Sequence, residues 1–115
     1  MSRPAETERT SAQSFAAQTF AALGDETRLA LVRSLADGEP RSLSELAYGR
    51  PLTRQAVSKH LRVLEAAGLV ASLRAGRETR FRFRPERLDE MRAYLDAVGR
   101  QWEDALGRLK QHLER

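Results

Sequence analysis

The fold is decided by the stretch Leu52–Val70, LTRQAVSKHLRVLEAAGLV. Thr53 is a favoured N-cap residue, and apolar side chains follow it at positions i, i+4 and i+7, which places them on one face of a helix. These apolar side chains are Val57, Leu61 and Leu64. Gly68 ends the pattern. The stretch therefore predicts an amphipathic helix that begins after Thr53 and packs one face on a core.

The opposite face of this helix is polar and basic. At 100° per residue, four side chains fall within an arc of about 100° that contains no acid and no large apolar group. They are Gln55, Ser58, Lys59 and Arg62. An ordinary surface helix mixes charge signs to gain i,i+4 pairs, which this arc does not do. Such side chains suit base edges and phosphates in the major groove, so we expect residues 53–62 to form a recognition helix.

Three helices are predicted before the recognition helix. Residues 11–23 are rich in alanine and form the first, and Asp25 caps a second that ends at Gly38. The predicted inner stripe of the second helix is Leu29, Val32 and Leu35. Ser42 and Glu45 have capping-box spacing and open a short third helix.

After Gly68 the apolar period changes from helical to two, which predicts a β-hairpin turning at Gly76. Leu69, Ala71 and Leu73 are expected to face inward on its first strand, and Phe81 and Phe83 on its second. A long helix follows over residues 88–113. The predicted fold is therefore mainly α with a small β-hairpin. It is a winged helix-turn-helix with an extra helix at each end.

Composition limits the function classes. The chain has no cysteine, which excludes disulfides and thiolate metal sites. The net charge is +4, yet nine of the 20 basic residues and only two of the 16 acids lie within residues 50–84. A polyanion is the natural partner of such a segment, although a solvated basic face is the alternative.

The sequence also suggests how the chain is organised. Residues 1–10 are polar and predict a disordered tail, and residues 11–115 form one predicted domain. The start of the chain lacks the apolar stretch of a signal peptide, and no apolar run is long enough for a bilayer. We expect a cytoplasmic protein associated with the nucleoid.

Position on the predicted elements suggests a role for each DNA-facing residue. Gln55, Ser58 and Lys59 are expected to contact base edges or to make mixed contacts, because they lie near the start of the recognition helix. Arg54 and Arg62 are expected to bind phosphates, and Thr53 caps the helix beside a phosphate. Four residues near the wing tip are expected to contact the backbone or the adjacent minor groove. They are Arg74, Arg77, Thr79 and Arg80. His60 falls on the inner side, where a packed, hydrogen-bonded histidine is favoured over a DNA contact.

The second half of the last helix carries more apolar side chains than a domain of this size can cover. We expect this half to meet the first helix and a second copy of the chain in an isologous interface. The predicted interface residues are Phe15, Thr19, Val98, Trp102, Leu106, Leu109 and Leu113. The alternative is that the last helix folds back on its own core.

Two runs, FAALGDETRLALVRSL (Phe20–Leu35) and Leu52–Val70, together with the hairpin sequence AGRETRFRF, resemble the ArsR family of bacterial winged helix-turn-helix repressors. The resemblance implies a homodimer, built from the terminal helices, that represses transcription by covering an operator in double-stranded DNA. In the family the positions matching Arg54, Gln55, Ser58 and Lys59 face DNA. The resemblance also allows an inducer, whose identity the residues do not indicate.

The chain departs from the metal-sensing members of the family. The third helix, SLSELAYG, has no cysteine, and the last helix has a single histidine, His112. A transition-metal site needs several converging ligands, so the chain is closer to the metal-independent members, and no metal or cofactor is expected. Pairing of His112 with a carboxylate of a second copy remains the alternative.

Other function classes fit the residues less well. No nucleophile, base and acid share a predicted pocket, so we expect no enzyme. Single-stranded RNA sites need exposed aromatic rings, whereas Phe81 and Phe83 are expected to face inward. A regulator that binds proteins through its winged helix without sequence-specific DNA contacts is the main alternative, and the all-basic arc argues against it.

Overall fold

A computed structural model of the chain describes residues 15–114. The predicted tail at residues 1–10 and the predicted beginning of the first helix lie outside the described residues. The helices are α1 at residues 15–23, α2 Glu26–Ser34, α3 Leu43–Ala47, α4 Arg54–Ala66 and α5 Glu86–Leu113; the strands are β1 Arg41–Ser42, β2 Val70–Ala75 and β3 Glu78–Phe83. This order confirms the predicted class, a mainly helical winged helix-turn-helix with a helix at each end.

The helices begin where the sequence predicts caps. The carboxylate of Asp25 accepts a hydrogen bond from the amide of Arg28 at 3.0 Å at the start of α2. Ser42 and Glu45 form the predicted capping box at the start of α3. Thr53 Oγ1 accepts from the amide of Ala56 at 3.1 Å. The caps satisfy backbone amides that have no partner within the helix, and they therefore fix where each helix starts.

The wing has three strands rather than the two that the sequence predicts. β1 joins the hairpin through antiparallel pairing with β3, so the strand order is β1-β3-β2. A carboxylate ahead of β1 holds it, since Asp37 accepts hydrogen bonds from both terminal nitrogens of Arg41 at 2.9 and 2.8 Å. These bonds, followed by one from the amide of Glu39, lower the pKa of Asp37 to about 2.

The register of the hairpin corrects one prediction. Val70 lies opposite Phe83, and both are buried, whereas Ala71 and Leu73 pair with Arg82 and Arg80 on the other face. The predicted inner positions Ala71 and Leu73 are therefore wrong by one residue. Because strand side chains alternate between faces, a shift of one position moves the whole set to the other face.

The core packs α2, α3 and α4 against the base of the wing. Val57, Leu61 and Leu64 are fully buried, as the sequence predicts for the inner face of α4. In α2 the prediction of Leu29 is wrong, because Leu29 is 39% exposed and Leu31 is fully buried in its place. Positions 31, 32 and 35 fall within an arc of about 100°, which lets all three reach the core.

The two terminal helices meet through aromatic and cationic contacts. The rings of Phe20 on α1 and Tyr94 on α5 are 6.1 Å apart, and the guanidinium of Arg87 lies 4.6 Å from the centre of the Phe15 ring. Met91 is the buried residue of α5. None of the helices in the described part of the chain is both long and apolar enough to cross a bilayer.

Candidate nucleic-acid interface

The outer face of α4 carries the predicted recognition residues. Arg54, Gln55, Lys59 and Arg62 are exposed and Ser58 is half-buried, while the opposite face of the same helix is fully buried. The helix is therefore held by its apolar face and presents short polar and basic side chains to solvent. These side chains have the chemistry that base edges and phosphates require.

The N-terminal end of α4 is electropositive. Its first turn has no acidic residue, and Arg54 adds a cation there. Thr53 is exposed, and its hydroxyl oxygen accepts the capping bond, which leaves the hydroxyl hydrogen free to donate. Unpaired amides, the helix dipole and a free donor together suit a phosphate oxygen at this end.

The turn before α4 is fixed by Arg50. Its Nε donates to the carbonyl of Leu46 at 2.7 Å, and its Nη2 donates to Ser34 Oγ at 2.7 Å. One guanidinium thus ties the end of α3 to α2. Arg50 belongs to the basic segment of the sequence, but these bonds direct it to the protein interior rather than to a nucleic acid.

The wing does not bring its four predicted contacts onto one face. Arg74 and Thr79 are cross-strand partners and share one face, whereas Arg80 lies on the other. Arg80 also forms an ion pair with Glu78 at 3.2 Å. Arg77 is exposed in the turn between the strands. Side chains from both faces of the wing could reach the same stretch of DNA only at the tip of the wing, where Arg77 lies.

His60 faces inward on α4, as the sequence predicts. Its Nδ1 lies 3.4 Å from Nη1 of Arg28 and 3.8 Å from Oδ2 of Asp25, and its side chain is 24% exposed. The bond from the Arg28 amide, and then the charge of Arg28, hold the pKa of Asp25 below its usual value, although partial desolvation opposes them.

Sequence reasoning missed Arg28, which lies on α2 and contacts two other elements, α1 and α4. Its Nε donates to the carbonyl of Ala22 at 2.7 Å and its Nη2 to the carbonyl of Ala21 at 3.4 Å. The available signal was a cation three residues after the cap Asp25, on a helix that packs into the core. Arg28 also borders a groove of about 300 Å³ with a mainly apolar lining. Its lining residues are Gln18, Ala21, Ala22, Arg28, Val63, Ala66 and Ala67.

A second surface lies along α5, away from the recognition helix. Trp102 is 65% exposed, and Leu106, Leu109 and Leu113 are also exposed, while Val98 is half-buried. Phe15 is exposed on α1. Beside this surface, Leu95 is exposed although the sequence predicts that it packs on the protomer's own core, and Phe20 is exposed although it is not among the predicted interface residues.

Thr19 differs from the other predicted interface residues. It is only 2% exposed, and its hydroxyl donates to the carbonyl of Phe15 at 2.8 Å. Thr19 therefore supports α1 from inside the protomer and offers no surface to a partner.

The metal-ligating side chains are dispersed. Between residues 15 and 114, no three side chains of His, Cys, Asp or Glu gather as a metal ion would require. His112 lies in the last turn of α5, far along the chain from the inward-facing His60.

Known proteins similar to this chain are transcriptional regulators. Residues 23–72 match a family model described as a helix-turn-helix domain. The chain is 42% identical over 89 residues to the HTH-type transcriptional regulator Rv2034 of Mycobacterium tuberculosis, covering 77% of this chain and 79% of the relative. It is 35% identical over 91 residues to the HTH-type transcriptional repressor SmtB of the same species, covering 79% and 65%.

A solved structure extends the similarity to the whole architecture. The ArsR-like transcriptional regulator from Rhodococcus sp. RHA1 superposes with a TM-score of 0.77 at 40% sequence identity. The match covers 86% of this chain and 92% of that one. Sequence and fold therefore agree on the same class of regulator.

Proposed function

Because this chain belongs to the ArsR family of winged helix-turn-helix transcriptional regulators, we propose that it is a homodimeric repressor of a pseudo-palindromic operator. The observation that carries the proposal is the outer face of α4. There the exposed polar and basic side chains stand on a helix whose other face is fixed in the core. Such a helix enters the major groove without rearrangement of the fold.

The proposed contacts follow from exposure and hydrogen bonding. Gln55, Ser58 and Lys59 contact base edges from the first half of α4, and Arg54 and Arg62 bind flanking phosphates. Thr53 donates its hydroxyl to a phosphate. In the wing, Arg77 makes the main contact, with Arg74 and Thr79 on one face, and Arg80 makes the weakest contribution because Glu78 already pairs with it.

The proposed dimer uses the exposed apolar surface of α5 and the exposed end of α1. Phe15, Val98, Trp102, Leu106, Leu109 and Leu113 line it, and Leu95 and Phe20 extend it. A monomer would leave this surface in water, whereas an isologous pair buries it. Two recognition helices then contact half-sites about one turn of DNA apart, roughly 34 Å.

The proposal includes repression of transcription and a release from DNA that does not depend on metal ions. A dimer that covers a promoter excludes other proteins from it, and a relative at 35% identity is named a repressor. Release from DNA does not use a transition metal in this proposal, because the chain has no cysteine and only two histidines, one of which Arg28 engages. The protein acts in the cytoplasm, where it reaches chromosomal DNA.

The test is selection of bound duplexes from a random-sequence pool by the full chain. We expect an enriched pseudo-palindrome with half-sites about one helical turn apart. The double variant Gln55→Ala, Ser58→Ala should lose preference for the enriched duplex and keep weak, salt-sensitive binding to any duplex. Gln111→Ala, on the far side of α5 from Trp102, is the control and should select the same site. Unchanged selectivity in the double variant would contradict the recognition-helix assignment, and a pool without enrichment would contradict sequence-specific binding.

A further inference from the structure

Behind the recognition helix, Arg28 of α2 links α4 to α1. Through Nε and Nη2 it binds the carbonyls at the C-terminal end of α1, and through Nη1 it reaches Nδ1 of His60 on α4. One guanidinium therefore joins the helix that carries Phe15 and Phe20 to the helix that carries the proposed DNA contacts.

This contact depends on the protonation of His60. A guanidinium only donates hydrogen bonds, so Nδ1 must offer a lone pair and the ring hydrogen must lie on Nε2. A protonated imidazole has no lone pair at Nδ1, and it would then face the Arg28 cation at 3.4 Å. Histidine is the side chain that ordinarily changes charge between pH 5 and 8.

A second partner for the same nitrogen lies close by. Asp25 Oδ2 is 3.8 Å from Nδ1 of His60, and the lowered pKa of this carboxyl keeps it ionised in that pH range. In the described part of the chain, Arg28 and Asp25 are the charged groups that face His60. From α1, the carbonyls of Ala21 and Ala22 accept hydrogen bonds from Arg28. Neutral His60 accepts from Arg28, whereas a protonated His60 would be repelled by Arg28 and attracted to Asp25.

We propose that His60 is a positioning residue that holds α4 in its DNA-binding orientation while neutral and releases Arg28 when protonated, so that selective DNA binding weakens as the pH falls from 8 to 5.5. The inference rests on the proposed DNA contacts of α4. The direction of this pH effect distinguishes positioning from a simple charge effect. An added positive charge alone would strengthen binding to a polyanion.

The experiment measures binding of the full chain by fluorescence anisotropy at constant ionic strength, at pH 8.0 and 5.5. The probes are a duplex of about 30 base pairs enriched from a random pool at pH 8.0 and a shuffled duplex of the same composition. For the enriched duplex we expect affinity to fall about fivefold or more at pH 5.5. The shuffled duplex should bind as well or better at that pH, since its binding depends on charge alone.

Three variants separate positioning from other effects of the histidine. His60→Asn keeps an acceptor near the place of Nδ1 but cannot take up a proton, so it should bind like the wild type at pH 8.0 and show no loss at pH 5.5. His60→Leu removes the acceptor and should bind the enriched duplex weakly at both pH values. His112→Gln removes the other histidine and should keep the wild-type pH profile.

Defined results would overturn the proposed role of His60. Tighter binding of the enriched duplex at pH 5.5, or a pH profile in His60→Asn like that of the wild type, overturns the inference. A pool without enrichment contradicts the proposed function and this inference together, whereas an enriched duplex bound equally at both pH values contradicts the inference alone. Nitrogen-15 NMR of the wild-type ring at pH 8.0 is independent of any variant. We expect hydrogen on Nε2, and hydrogen on Nδ1 would overturn the inference.

Discussion

Replacing Trp102 with aspartate should convert the protein to a monomer. Trp102 is 65% exposed in the protomer, so the core does not depend on it, whereas the proposed dimer buries it. For an aromatic side chain of about 200 Å², that exposed fraction corresponds to roughly 130 Å², or about 3 kcal/mol per protomer at about 25 cal/mol per Å². Because each protomer of the symmetric dimer contributes one Trp102, burial of both side chains contributes about 6 kcal/mol as an upper estimate.

Loss of even half of that energy would raise the dimer dissociation constant about 100-fold, because about 1.4 kcal/mol corresponds to a factor of ten. The two introduced carboxylates add a desolvation cost at the interface. The assay is sedimentation velocity across micromolar concentrations, with circular dichroism to verify that helix content is retained. We expect a single monomer boundary for Trp102→Asp where the wild type sediments as a dimer.

Gln111→Asp is the matched control for this prediction. It places the same charge on the same helix, but on the face away from Trp102, and it should leave the dimer intact. A dimer of unchanged stability in Trp102→Asp would refute the assignment of this surface. A monomeric wild type would refute the proposed homodimer itself.

Two further predictions concern the wing and the release from DNA. The pKa of Asp37 is lowered to about 2 from an ordinary 3.8, so its contribution to stability is full above about pH 4 and is lost as the pH falls through about 2. Asp37→Asn should therefore melt at a lower temperature than the wild type at pH 7, and the two thermal curves should converge near pH 2; a constant difference would contradict the Asp37–Arg41 bond as its source. Stoichiometric Zn²⁺ should leave the complex with the enriched duplex intact in an anisotropy titration, and reversible release at low micromolar Zn²⁺ would contradict metal independence.

The parts of the fold that sequence could predict are those set by local interactions. A cap is decided by a side chain and an amide two or three residues later, so Asp25, Ser42 and Thr53 mark the helix starts without knowledge of the rest of the chain. The buried face of α4 is likewise visible as a 3.6-residue period. The outward arc of the candidate site follows from that buried face, because it is the remainder of the same helix.

The parts that sequence could not predict depend on distant partners. Two residues, Arg41 and Ser42, carry no strand pattern by themselves, and they become β1 only because β3 lies alongside. The face of β2 is set by its register with Phe83, and Val70, Ala71 and Leu73 are all apolar enough to fit either face. Similarly, Leu29 and Leu31 are equivalent in chemistry, and the position of α2 against the core decides which one is buried.

The arginines of this protein have two separate uses, which the sequence does not distinguish. Arg28, Arg41 and Arg50 donate several hydrogen bonds within the protein, and they fix α1, β1 and the turn before α4. Arg54 and Arg62 are exposed, and in the described part of the chain no carboxylate lies within 4.0 Å of either. In the proposed complex, only cations of the second kind would displace counterions from DNA, each contributing about 0.9 to the slope of log affinity against log salt. Internal hydrogen bonding, rather than position within a basic segment, therefore indicates which arginines are available for the proposed phosphate contacts.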